Sequence, residues 1–331
     1  MTTPIRWGIL GTANIGRKAL IPAILANEGS VLAGIASRDR TRAEAFIAEN
    51  GWDTKAYGSY EAMLDDPDID AVYNPLPNHL HVSLTLEAAR RGKHVLCEKP
   101  IAPSKAEAGA LRDLPDGIHV MEAFMIRFHP QWLRVREMIR GGRLGRVTAV
   151  QVMFSYYNDD PANIRNMADI GGGGLLDIGC YPMVVGRWVF EGDPARVVAL
   201  VERDPTFGTD RLASALMDFG SGRQLAFTVS TQMTPMQRAV IMGTEGRVEV
   251  MIPFNAPKEG TEIVFTPRQG EAETIDLGPV DQYERQVEAM NRAIRGEAPL
   301  PYGVADAFVN MAILDAFVTS EKTGGWAAVK L

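Results

Sequence analysis

Short apolar runs alternate with amphipathic stretches along the first third of the chain. The runs predict strands at Ile5–Leu10, Val31–Ala36, Ala71–Asn74, His94–Cys97 and Ile118–Glu122. Between them, apolar residues at helical spacing predict helices at Ile15–Ala26, Arg42–Asn50, His79–Arg91 and Ser104–Leu114, the last opening on a serine cap. Strands of continuous rather than alternating apolarity, separated by helices, imply βαβ units and a parallel sheet covered on both faces.

The pattern changes near residues 122–125. Pro130–Arg140 predicts a helix, and Arg146–Tyr157 alternates over a long span. Further strands are expected at Val197–Glu202, Leu212–Phe219, Gln224–Ser230, Ala239–Thr244, Val248–Ile252 and Ile263–Pro267, joined by turns such as "GSG" and "GTEG". These describe a large, open, mostly antiparallel sheet. Leu176–Phe190 reads as a helix laid on it, and Gln282–Ile294 and Ala305–Glu321 as C-terminal helices. The expected class is α/β, with a doubly wound parallel domain over residues 1–122 and a second α/β domain over residues 123–331.

Composition narrows the function classes. The 331 residues are 46% hydrophobic and 23% charged, which suits two ordinary cores and not wholesale disorder. A net charge of −7 argues against a nucleic-acid-binding face. The two cysteines, Cys97 and Cys180, sit in apolar settings, which speaks for a reducing compartment and against a disulfide framework or a zinc site. No apolar run is long enough to span a bilayer and no leader pattern opens the chain, so no membrane partner and a cytoplasmic location are expected.

The first strand runs into "GILGTANIG". Gly11-x-Ala13-x-x-Gly16 matches the dinucleotide fingerprint with alanine at its middle position. Gly11 permits the tight turn, a small residue at 13 lets backbone approach a pyrophosphate, and the helix N-terminus offers free N–H groups. An NAD enzyme usually carries Asp or Glu at the end of the second strand. Here Ser37 and Arg38 stand there, with Arg40 and Arg42 behind. Arg38 can stack on adenine and pair with a 2′-phosphate, and Ser37 can donate to it, so NADP is the expected cofactor.

Ligands of such a sheet sit beyond the carboxyl ends of the strands. Two further segments end up there, "NPLPNHLH" with Asn74, Leu76, Asn78 and His81, and "CEKP" with Glu98 and Lys99. A lysine partly desolvated over a nicotinamide would have a lowered pKa suited to hydrogen-bonding chemistry. His79 reads as an ordinary helix-start residue. His81 reads equally as ligand contact or packing histidine. Later, "FSYYNDDPANIRN" offers Phe154, Tyr156, Asn163 and Arg165, an aromatic wall with polar forks that suits a polyhydroxylated ring. Met233, Met236 and Met242 read as core or interface packing.

Taken in order, "GILGTANIG", "CEKP", "MEAFMIRFHP", "GGGGLLDIGCYP" and "MGTEGRVEV" resemble the Gfo/Idh/MocA family of NADP- or NAD-dependent oxidoreductases over nearly the whole chain. The resemblance implies an N-terminal Rossmann domain and a C-terminal α/β domain whose open sheet forms a homodimer interface. Its E-K-P motif falls on Glu98, Lys99 and Pro100, often with a cis bond before the proline. Its D-x-x-x-H motif falls on Asp177 and Tyr181, a departure from the commoner histidine. Tyrosine there resembles a narrower group of glucose-fructose oxidoreductase, aldose dehydrogenases, aldose-aldose oxidoreductases and dimeric dihydrodiol dehydrogenase. In that group a serine, a basic residue and a tyrosine hold the 2′-phosphate, matched by Ser37, Arg38 or Arg42, and Tyr57. The implied cofactor set adds Thr12, Asn14 and Ile15 of the glycine turn, and Arg127.

The function so implied is oxidation of a cyclic aldose at C1 to its lactone. A cofactor that stays bound could be reoxidised by a second aldose, which becomes an alditol. Asp177 and Tyr181, four apart on a predicted helix, share a face. A tyrosine pKa near 10 is too high for neutral-pH base work unless a cation lowers it. Tyr181 is thus expected as acid/base, Lys99 as its electrostatic partner and Asp177 as orienter, with proton transfer by Lys99 itself an open alternative. The glycines of "GGGG" are expected to let backbone approach nicotinamide or substrate. Rivals are a trans-dihydrodiol dehydrogenase and a silent NADP-binding sensor. The joint presence of Lys99, Asp177 and Tyr181 counts against the sensor.

Overall fold

The computed structural model describes residues 3–331. It divides into two compact units. The first runs to Ala102, resumes over Ala106–Met125 and takes back Tyr283–Ala307. The second comprises Pro103–Lys105, Ile126–Gln282 and Phe308–Leu331. A single cut after residue 122 places the return segment 283–307 with the C-terminal part of the chain. In the structure that segment lies with the first unit, tied by Trp7 Nε1 donating to Asn291 Oδ1 at 3.1 Å and Asn27 Nδ2 to Glu288 at 3.0 Å.

The first unit holds six strands, β1 (Ile5–Leu10), β2 (Ser30–Ala36), β3 (Lys55–Tyr57), β4 (Ala71–Asn74), β5 (His94–Cys97) and β6 (Val120–Glu122). Their order is β3-β2-β1-β4-β5-β6 and every neighbouring pair is parallel. The sequence reading lacks β3. It is a three-residue edge strand that opens on an exposed lysine, too short to show a period. The predicted helix at 104–114 is one α-turn, Lys105–Ala108, followed by a 3₁₀ stretch through Asp113, with glycine at the junction. The strand order reverses between β1 and β4, which is where such sheets open a crevice. Register sets the strand ends level. Leu10 pairs with Ala36, Asn74 with Cys97 and Cys97 with Glu122, so Gly11, Ser37, Pro75, Glu98 and Ala123 emerge along one edge.

The second unit carries nine strands, β7 (Val147–Tyr157), β8 (Arg196–Arg203), β9 (Asp210–Asp218), β10 (Gln224–Ser230), β11 (Gln232–Gly243), β12 (Gly246–Val250), β13 (Glu262–Pro267), β14 (Glu273–Asp276) and β15 (Ala327–Ala328). The order is β14-β13-β12-β11-β7-β10-β9-β8-β15, antiparallel except where β7 meets β10. A continuous helix over residues 175–190 packs on one face, opening with a π-turn at Leu175–Gly179 and continuing as α-helix at Cys180–Phe190. Gly186 on this helix faces Phe219 and Leu225 so closely that a Cβ there would stand 2.7 Å from the Phe219 ring. Elsewhere on the sheet an open concavity of about 750 Å³ is lined by residues of β7 to β11 that include Leu200, Leu216 and Met236. Among the described residues no helix is long and apolar enough to cross a membrane.

Candidate active site

The turn after β1 requires its glycine. Gly11 has φ +91°, and a Cβ there would stand 2.9 Å from Leu76 Cδ2. Beyond it the helix begins at Asn14, with a π-turn from Gly16 and its first bond from Arg17 N to the Ala13 carbonyl at 3.2 Å, leaving the N–H groups of residues 13–16 at the helix entrance. Arg42 Nε donates to Thr12 Oγ1 at 3.0 Å, which holds that guanidinium over the turn. Asn14 Oδ1 accepts from Arg17 at 2.9 Å. Ile15 is half-buried at the helix entrance and Arg38 is exposed. Ser37 is buried, with its N–H on the Tyr57 carbonyl. The nearest carboxylate, Asp39, is committed elsewhere. It caps the Arg40–Asn50 helix by accepting from Thr41 N at 2.9 Å and Thr41 Oγ1 at 2.7 Å. The end of β2 therefore presents cations and a hydroxyl, without a free acid for a ribose 2′-OH.

Tyr57 does not join this group. Its hydroxyl donates to Asp66 at 2.7 Å, and its ring lies against Gly34. Asp66, which Lys55 also reaches at 2.5 Å, is held below the usual carboxylate range by these two donors. The tyrosine at the glycine turn is Tyr60, at the start of the Tyr60–Leu64 helix behind the Ser59 cap. Its hydroxyl lies 3.9 Å from where a Gly11 Cβ would be, and burial raises its pKa against the pull of Arg38 and Arg42. Three residues of spacing separate the two tyrosines, and the Ser cap before Tyr60 was the available signal.

The segment beyond β5 is pinned from several sides. The Lys99–Pro100 bond is cis. Glu98 accepts the Tyr73 hydroxyl at 2.6 Å and the Lys99 N–H at 3.2 Å. His81 is 1% exposed, with Nδ1 at 2.7 Å from the Pro100 carbonyl and Nε2 at 2.6 Å from the Leu76 carbonyl. Both ring nitrogens face backbone carbonyls, one of them as the single N–H donor of the neutral ring, so His81 links the two loops and turns neither nitrogen to a ligand. Burial lowers its pKa to about 4. Glu122, missed in the sequence, accepts the Ile101 N–H at 2.8 Å from the end of β6. Asn74 is fully buried and holds the turn through Leu76 N and the His81 carbonyl, while Asn78 begins the next helical turn. Lys99 is half-exposed at this edge.

In the second unit, Tyr181 is the second residue of the α-helix at Cys180–Phe190 and only 6% exposed. Its ring meets Phe154 edge-on at 5.7 Å and Phe254 at 5.1 Å, and those two stack at 4.7 Å. Phe154 thus backs the tyrosine, and with 5% exposure it offers no open ring face to a sugar. Asp177 lies in the π-turn. Its Oδ2 accepts the Tyr156 hydroxyl at 2.5 Å and pairs with Arg165 Nε at 2.9 Å. The Arg165 guanidinium is held above its usual range, first by Asp177 and also by Tyr156 and Tyr181. Asn163 is used as a cap, accepting from Arg165 N at 3.1 Å. Arg127 is buried in the Met125–Phe128 turn.

The glycine run has a different cause from the one expected. A Cβ on Gly172 would stand 2.6 Å from the Arg165 and Met167 carbonyls, and one on Gly173, at φ +123°, would collide with Asp210 Oδ1. Asp210 needs that space to cap the helix, accepting the Leu175 N–H at 2.5 Å. Its burial raises the carboxyl pKa to about 6.

Comparison with known proteins agrees with this arrangement. Residues 5–121 match a family described as an oxidoreductase family with an NAD-binding Rossmann fold, and residues 132–249 match a GFO/IDH/MocA C-terminal domain. An uncharacterized oxidoreductase of Rhizobium meliloti is 43% identical over 98% of this chain and 99% of its own. The NADP(+)-dependent D-xylose 1-dehydrogenase 2 of Haloferax volcanii is 41% identical over 98% of this chain and 99% of its own. The crystal structure of a 3-ketoreductase from Actinomadura kijaniata with NADP and TDP-benzene superposes with a TM-score of 0.88 at 30% identity, over 96% of this chain and 98% of that one.

Proposed function

This chain belongs to the Gfo/Idh/MocA family of oxidoreductases, and from that premise we propose that it oxidises a cyclic aldose at C1 to the aldonolactone with NADP. The observation that carries the aldose assignment is the 41% identity, over 98% of the chain, to the Haloferax D-xylose 1-dehydrogenase. The first unit fits the cofactor. Gly11 and the helix entrance at residues 13–16 suit a pyrophosphate, and Ser37, Arg38, Arg42 and Tyr60 surround the place for a 2′-phosphate, with Asp39 turned away as a cap. Asn74, Leu76, Asn78, Glu98 and Arg127 remain in the proposed cofactor set. His81 serves it by positioning.

When bound, NADP supplies the acceptor for the hydride leaving C1. The chain's own part is the proton. Tyr181 Oη takes the proton of the anomeric hydroxyl, which requires hydrogen-bond reach to that hydroxyl. Lys99 is the proposed electrostatic partner that favours this loss of the proton by charge. Asp177 fixes the side chains around the tyrosine through the Tyr156 hydroxyl and Arg165. The buried rings of Phe154 and Phe254 hold Tyr181 in one orientation.

A second copy of this chain is the proposed partner, docked on the open sheet face where Leu200 is 80% exposed, Met236 46% and Leu216 40%.

The test is reduction of NADP by a panel of aldoses, with lactone trapped as product. Turnover of D-xylose or another aldose by the wild-type enzyme, lowered 100-fold or more in Tyr181→Phe by loss of roughly 10²–10⁴ of acid–base catalysis, is expected. A panel in which no aldose reduces NADP, while the cofactor binds, rejects the assignment.

A further inference from the structure

The sequence assigns the charge that activates Tyr181 to Lys99. The second unit contains another cation on the same cluster. Arg165 comes from the irregular stretch after β7 and meets Asp177 through Nε at 2.9 Å. Asp177 stands four residues before Tyr181 on one continuous helix. Asp177 thus links the two, by an ion pair to Arg165 and by one turn of helix to Tyr181. A phenolate at 181 favours the charged Arg165, although less than Asp177 and Tyr156 do. A cation held on Asp177 favours the charged form of a tyrosine one helical turn away.

We propose that Arg165 is a positioning residue whose guanidinium, anchored by Asp177, stabilises the Tyr181 phenolate and so sets the pH range in which Tyr181 exchanges a proton. The inference rests on Tyr181 as the acid/base of the proposed reaction. Asp177 acts as anchor and counterweight, because its carboxylate holds the guanidinium in place and opposes part of its charge. Tyr156 completes the anchor by donating to the same Oδ2.

The groups around Tyr181 give this cation its leverage. From β7 come Phe154, which carries no charge, and Tyr156, whose hydroxyl is engaged on Asp177. Phe254 closes another side of the ring. The tyrosine's own helix contributes Asp177, and Asp210 caps that helix where it begins. Lys99 is the cation assigned from the first unit. Removing Arg165 takes away a cation and leaves the Asp177 carboxylate, which disfavours the phenolate. The Arg165 side chain is 42% exposed, and water screens part of the effect.

The experiment reads Tyr181 directly and needs no sugar. Tyrosinate absorbance is titrated in the full-length protein with NADP, and the curve of a matched Tyr181→Phe protein is subtracted to isolate this residue from the other tyrosines. The quantity read is the Tyr181 midpoint in wild type and in each variant. It should rise by about one pH unit in Arg165→Met, return toward wild type in Arg165→Lys, and fall in Asp177→Asn, where the guanidinium is no longer opposed. An Arg165→Met midpoint equal to wild type would overturn the proposal. If Arg165→Met does not fold, Arg165→Gln is read in its place, and a midpoint equal to wild type there overturns the proposal as well. A protein that oxidises no aldose but shows these shifts would reject the sugar assignment and keep the role of Arg165.

Discussion

At Arg42 the cofactor preference becomes a matter of one hydrogen bond. Its Nε is held by Thr12 over the glycine turn, and the only nearby acid on β2's end has been taken by the cap of the following helix. A charge-assisted bond to a 2′-phosphate contributes about 1.5–3 kcal/mol, so Arg42→Ala should raise the KM for NADP by about tenfold or more and leave the KM for NAD nearly unchanged. Steady-state kinetics with both cofactors check this. The same scale shows where the sequence was informative. Gly11, Lys99, Asp177 and Tyr181 stand in short motifs whose spacing survives without a structure. Tyr57 and Tyr60 do not, because three residues across a strand end and a helix start turn one ring onto Gly34 and Asp66 and the other toward Arg38 and Arg42. Glu122 was hidden for a similar reason, since its partner, the Ile101 N–H, is 21 residues away.

The helix over residues 175–190 shows how one element couples stability to the proposed chemistry. It presents Asp177 and Tyr181, and its first turn is capped by the buried Asp210, for which Gly173 and Gly174 leave room. The "GGGG" run is legible as an unusual feature, but its cause is a carboxylate that arrives from β9. Burial raises the Asp210 pKa from 3.8 to about 6. A raised carboxyl pKa means the folded state binds the proton more tightly than the unfolded chain does. Stability from this group is therefore present at low pH and is lost as pH rises from about 4 to about 6, by at most about 3 kcal/mol. Asp210→Asn keeps a carbonyl to accept the Leu175 N–H and cannot ionise. Its stability relative to wild type should grow through that window and stay flat above it, measured by urea unfolding at about pH 4 and about pH 8. A difference independent of pH would mean that the Asp210 carboxyl titrates alike in the folded and the unfolded chain.

On the scale of the whole molecule, the long apolar and alternating runs fixed both sheets in outline. Strands β3, β14 and β15 are short, partly exposed sheet edges without the buried apolar run that made β4, β5 and β6 readable at similar length. The return of residues 283–307 to the first unit was also unreadable, because bonds such as Trp7 to Asn291 join parts of the chain 284 residues apart. The open sheet face is the proposed contact with a second copy of the chain. Leu200→Glu together with Met236→Glu should convert the proposed homodimer to monomers in sedimentation analysis while leaving the monomer folded, since both side chains are already exposed. An unchanged sedimentation coefficient would place any self-association elsewhere.

The most direct test of the proposed reaction follows one atom. The enzyme is given NADP and D-xylose carrying deuterium at C1, and the reduced nicotinamide and the sugar product are analysed by mass spectrometry. Deuterium in the reduced nicotinamide, with xylonolactone as the product, is the expected result. Reduced nicotinamide without deuterium, or xylose recovered unchanged with NADP bound, would contradict oxidation at C1 of that aldose.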